Sequence, residues 1–199
     1  MSEQIEAGAS EAFDIEGRRR KAELAKPMSF APMRYTDDGN VDWGNMWDSF
    51  CVLASAGGPA HRNTLLVPEA GADPCSEAYQ FVQSEIIRGV YLVSGLQARP
   101  AGAGWIAVEC PMGGMAAWVA EQGVQENVQI QQHGSDFWVP CGQNWAVKGE
   151  VKNVITVVAK TTHYFADHIS SDMKTTMIVE EGLSKVGALI KGLFGSKKS

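Results

Sequence analysis

A chain of 199 residues, 45% of them hydrophobic, has the length of one domain and enough apolar side chains to fill one packed core. Its net charge of -6 lacks the basic footprint of a nucleic-acid-binding domain, and no apolar run approaches the ~20 residues that a membrane-spanning helix needs. The acidic start, Met1 to Gly17, has no apolar stretch for a secretory signal, and Arg18-Arg19-Arg20-Lys21 is not followed by the hydrophobic segment of a twin-arginine signal, so a soluble cytoplasmic protein is expected.

Residues 1–35 mix Glu, Arg, Lys, Ala and Ser without a lasting period and read as a flexible leader. The turn signal Asp37-Asp38-Gly39-Asn40 marks the start of a globular domain over residues 36–169. Trp43, Met46, Trp47, Phe50, Cys51 and Ala54 follow the spacing of one helix face, with Asp42 as cap and Gly57-Gly58-Pro59 as stop. Trp47 is expected at the centre of that buried stripe. A second helix starts at Ser76, aligns Tyr79, Val82, Ile86, Val90 and Val93, and ends at Gly95.

After a Gly-rich loop, Pro100 to Gly104, the apolar run Trp105 to Cys110 predicts a strand. Met115 to Gln122 predicts a third helix with Met115, Trp118 and Val119 facing inward. Val128 and Ile130, then Phe137, Val139 and Cys141, alternate on either side of Gly134-Ser135 and predict a hairpin. Residues 150–169 fit either a helical stripe or, at Val154 to Val158, a β-branched strand; their length favours helix. The fold class is therefore α+β: a small, mainly antiparallel sheet packed with about four helices and followed by a C-terminal amphipathic helix.

Four cysteines, Cys51, Cys75, Cys110 and Cys141, stand far apart with no Cys-x-x-Cys pair, so neither a metal site nor disulfides are expected, and Cys51, Cys110 and Cys141 are read as small core residues. Cys75, at a predicted helix start, has the best position for a lowered thiol pKa. Two stretches have the residue types for chemistry. In the first, Gly57 and Gly58 can let backbone N–H groups approach an anion, with Arg62 to pair with it, His61 to move a proton and Asp48 on the neighbouring helix. Helix punctuation followed by surface residues explains the same pattern and is favoured. In the second, Lys160 to His168, a helix would set His163 four residues from Asp167, which is the spacing of a histidine oriented by a carboxylate. The spacing of His163 and His168 does not suit a shared metal on one helix, and an ordinary polar helix end is favoured. No cofactor is implied, and no catalytic residue is assigned beyond the candidates Asp48, His61, Cys75 and His163.

Residues 170–176 read as a hinge, and residues 177–199 as a basic amphipathic helix. Val179, Leu183, Val186, Ile190, Leu193 and Phe194 form its apolar stripe, and Lys185, Lys191, Lys197 and Lys198 are the only charged side chains from Leu183 onward. Such a helix suits a homo-oligomer, a groove on a protein partner or an anionic membrane surface. The expected function is a non-catalytic accessory or scaffold subunit that docks on a partner, for instance a larger redox enzyme, and uses this helix for oligomerisation or membrane-surface attachment. A bundle of such helices could give a lipophilic carrier such as a quinone access to that enzyme. The alternative is a small enzyme or ligand-binding domain that uses Asp48, His61, Arg62 and His163 on an anionic or carbonyl substrate.

Overall fold

Asp42 starts the first helix, α1 (Trp43–Ser55), by accepting the Asn45 N–H at 3.2 Å. In the computed structural model, which describes residues 25–168, this helix buries Trp43, Met46 and Phe50 completely. Trp47, further round the helix, is only half-buried, because the stripe's centre lies on the three residues that precede and follow it. The second helix, α2 (Glu77–Ser94), is capped by the Ser76 hydroxyl, which accepts the Tyr79 N–H at 3.2 Å, and it stops at Gly95 with φ +72. Gly89 allows the closest approach on this helix: a Cβ there would lie 2.2 Å from Cδ1 of Ile155.

Four strands form one antiparallel sheet in the order β1-β2-β4-β3, built from β1 (Ala98–Pro100), β2 (Trp105–Val108), β3 (Gln131–His133) and β4 (Asp136–Pro140). The hairpin turns at Gly134, whose φ is +63, with His133 opposite Asp136. Ile106, Val108, Phe137 and Val139 fill the inner face; the other face carries Trp105 and Trp138, tilted against each other at 6.4 Å, with His133 stacked on Trp138 at 3.8 Å. Two details differ from expectation. Pro100 belongs to a short edge strand rather than to a loop, a position where its missing N–H removes no ladder bond from the sheet interior. Val128 and Ile130 are buried but precede the hairpin strand, and Val128 instead forms a parallel bridge with Leu66.

The third helix, α3 (Gly113–Gln125), buries Met115, Ala116 and Val119 against β3 and β4, while Trp118 stays partly covered. A single π-helical turn, Val147–Val151, then leads into α4 (Lys152–His168), so the ambiguous segment is a helix. Its β-branched run survives in a helix because α4 is the central element: Val154, Ile155, Val157, Val158 and Ala159 are all fully buried, and α1, α2 and α3 pack around it. Thr156, Thr161 and Thr162 bury their hydroxyls by donating to the Lys152, Val157 and Val158 carbonyls at 2.7, 2.8 and 2.7 Å. Lys152, 5% exposed, donates to the Ala31 carbonyl, and burial holds its pKa below the usual lysine value.

Packed structure begins earlier than the boundary expected at residue 36. A 3-10 turn at Met28–Phe30 places Met28 in the core, and the Met28 and Ser29 N–H groups donate to the Pro59 and Ala60 carbonyls at 2.8 and 2.9 Å. Met28 and Ala31, two buried apolar residues between prolines, pack this segment against α4 but are too few to show a period in sequence. The expected leader up to residue 24, the hinge at 170–176 and the helix at 177–199 lie outside the described residues. Among the described residues no helix is long and apolar enough to cross a membrane.

Candidate functional site

A cleft of about 430 Å³ lies between α1 and the last described turns of α4. Trp47, Cys51, Ala54 and Ser55 of α1 form one wall, Lys160, His163, Tyr164 and Asp167 of α4 form the other, and Met28 closes one end. A smaller hollow of about 250 Å³ lies across α4, between it and α3, where Trp118 and Gln122 face Thr161. Lys160 and Tyr164 belong to both hollows and form the divide between them.

Aromatic stacking holds both walls in place. His163 stacks on Trp47 with ring centroids 3.8 Å apart and planes inclined by 23°, and Tyr164 stacks on Trp118 at 5.9 Å and 9°. Adjacent residues of α4 thus lean in different directions, toward α1 and toward α3. The polar groups of the cleft are engaged in the fold. His163 Nε2 donates to the Val93 carbonyl at 2.7 Å, rather than being oriented by Asp167, and Lys160 is ion-paired with Glu126, which also accepts the Ala60 N–H at 2.8 Å. The Cys51 thiol is pushed up by burial and by the carboxylates of Asp48 and Asp167, which keeps it protonated. The indole N–H of Trp118 is buried without a hydrogen-bond partner among the described residues.

The residues of the Gly57 to Arg62 stretch are used elsewhere. Gly57 turns the chain with φ +88, and the Gly57 and Gly58 N–H groups donate to the Ala54 and Leu53 carbonyls at 2.8 and 3.0 Å, closing α1 rather than facing a ligand. Arg62 donates to the Ala25 carbonyl. His61 is 2% exposed, and its Nδ1 accepts the Asn63 N–H at 3.2 Å. Asp48 is exposed on α1 and, like His61 and Arg62, does not line the cleft that His163 lines. Cys75 is exposed on the turn before α2, where its N–H donates to Asp73 at 2.9 Å. Burial pushes the Cys110 and Cys141 thiols up to about 12 and about 11, so both stay protonated at neutral pH. Among the described residues no group of three His, Cys, Asp or Glu side chains is placed to hold a metal ion.

Burial lowers the pKa of His61 from its ordinary 6.5, against opposing effects of the Glu126 carboxylate and the backbone of Asn127 and Glu126. The folded chain therefore disfavours the proton that the unfolded chain accepts near 6.5. Stability from this group is fully present above that pH and is lost as pH falls through it toward the lower folded value. His61→Gln is expected to flatten the fall in melting temperature across this window, measured by thermal denaturation at a series of pH values. An equally steep fall in the variant would assign the loss to other groups.

The sequence places Trp47 and Cys51 in the buried stripe of α1 rather than in a site, and Lys160 only begins the second candidate stretch. The structure moves Trp47 from the expected centre of the α1 stripe to its margin, where a side chain is neither core nor fully solvated. No known protein family matches the chain, and neither the curated proteins nor the solved structures include a significant match.

Proposed function

We propose that this chain is a non-catalytic accessory or scaffold subunit that docks on a protein partner, with residues 177–199 contributing to assembly. The observation that carries this proposal is the cleft between α1 and α4. Its walls are largely apolar and aromatic, and its imidazole and ammonium groups are already spent on Val93 and Glu126, which suits a surface that receives apolar side chains better than one that moves protons. A large redox enzyme as partner and a quinone as carrier remain special cases that no described residue specifies. An enzyme using Asp48, His61, Arg62 and His163 together has less support, because these four do not line one hollow.

The test uses the full chain, tagged and purified from its native cells, beside a Trp47→Ser variant with an unchanged cooperative melt. Quantitative mass spectrometry should find at least one protein enriched with the natural chain and depleted with the variant. In parallel, Leu183→Asp/Ile190→Asp should change the oligomer mass. Binding of the natural chain to anionic vesicles, lost at high salt, would instead assign the C-terminal segment to a membrane surface. A chain that is monomeric, binds no vesicle and enriches the same proteins as its variant is not a docking subunit.

A further inference from the structure

The cleft opens beside the last described turns of α4, which carry Lys160, His163, Tyr164 and Asp167 and run to His168. Whatever follows in sequence starts at the cleft's edge. The expected hinge, residues 170–176, reaches at most ~23–25 Å when extended, which is enough to reverse the chain's direction. Residues 177–199 would extend ~35 Å as a helix, long enough to lie along the cleft.

We infer that the cleft between α1 and α4 is the docking site of this chain's own C-terminal segment, residues 177–199, which covers it in cis. The inference rests on reading the cleft as a docking surface and names its resident occupant. Shape and apolar chemistry agree, since the segment has a single stripe of Leu183, Val186, Ile190 and their neighbours while the cleft offers Trp47, Cys51 and Ala54. Charge agrees as well. Asp167 lines the cleft, whereas residues 177–199 carry Lys185, Lys191, Lys197 and Lys198 against Glu180 and Glu181 and so are net basic. The other end of the chain is a poorer match: residues 1–24 scatter Ile5, Phe13, Ile15 and Leu24 without a lasting stripe, and their acidic residues are mixed with Arg18, Arg19, Arg20 and Lys21. Tethering raises the local concentration of the segment to the millimolar range that short linkers give, so modest affinity keeps the cleft covered. A partner then gains access by displacing the segment, which makes docking a competition.

The test uses the full chain with Cys75→Ser and Cys110→Ser, keeping Cys51 as the cleft's thiol. A single cysteine is introduced at Leu183, Val186 or Ile190, and at Ala188 on the opposite face as control. After mild oxidation, digestion and mass spectrometry, bridges from Cys51 should form within one chain at stripe positions, several-fold above Ala188. Their yield should not change on dilution, and it should fall with Lys185→Glu/Lys191→Glu. Each variant is included only with a natural melting profile. Bridges only between chains would mean that a second copy's segment fills the cleft, and no stripe position above the control would mean that the segment does not dock there; either result overturns the inference. Partner enrichment that depends on Trp47 without any such bridge would leave the docking function standing. Bridges without any enriched partner would remove that function and keep the covered cleft.

Discussion

Trp43→Ala is expected to lower stability by about 3–5 kcal/mol, measured by denaturant unfolding, more than any other tryptophan replacement in the described chain. Trp43 is the largest fully buried side chain and lies where α1 meets α2, with its ring against the space that Gly89 leaves open. Its indole N–H donates to Glu85 at 2.7 Å in the interior, and Glu85 in turn holds Arg88, whose guanidinium reaches the Val41 carbonyl at 2.8 Å. Truncation therefore opens a cavity and removes a partner from a buried carboxylate at the same time. Trp47→Ala should cost clearly less, since Trp47 is only partly covered, yet it should loosen the wall of the cleft by releasing His163. A larger loss from Trp47 than from Trp43 would reverse the assignment of core and cleft on α1.

Gly58→Ala should be the most harmful single added methyl group, at the upper end of the ~1–3 kcal/mol typical of overpacking or beyond it. A Cβ at this position would lie 2.2 Å from the Lys26 carbonyl oxygen and 2.8 Å from the Leu53 carbonyl oxygen. Both obstacles are backbone, so no side chain can rotate away. Either the end of α1 must unwind or the segment at Lys26 must lift off, and the second route pulls Met28 toward water. Limited proteolysis distinguishes the two: new cleavage near residue 26 in the variant means that the incoming segment detaches. An unchanged melting temperature and digestion pattern would show that this close approach is not present in solution. Gly57→Ala is a useful companion, because there the cost comes from the left-handed φ of +88 rather than from collision.

The elements that were legible in sequence are those specified by neighbours along the chain. Asp42 and Ser76 cap helices whose apolar spacing is local, Gly95 ends one in the left-handed conformation, and Gly134 turns the hairpin, so each could be located from a few adjacent letters. Where long-range packing decides, the letters misled. Pro100 with Gly102 and Gly104 has the composition of a loop, and only pairing with Ile106 makes it a strand. His61 follows Gly-Gly-Pro in what resembles a surface turn, but the Glu126 region and the Met28 turn cover it. The cleft itself joins residues of α1 to residues more than a hundred positions later on α4, and periodicity within a helix cannot show which margin of one faces which margin of another.

The placement of α4 also affects how the molecule is made. A nascent chain emerges N-terminus first, so α1, α2, the sheet and α3 are all synthesised before the helix around which the three others pack. Until then the faces of α1, α2 and α3 that pack on α4 are uncovered, although α1 meets α2 and α3 meets the sheet. Completion of the core thus waits for α4, and a chain truncated before Lys152 is expected to expose the apolar faces that α4 covers and to bind chaperones.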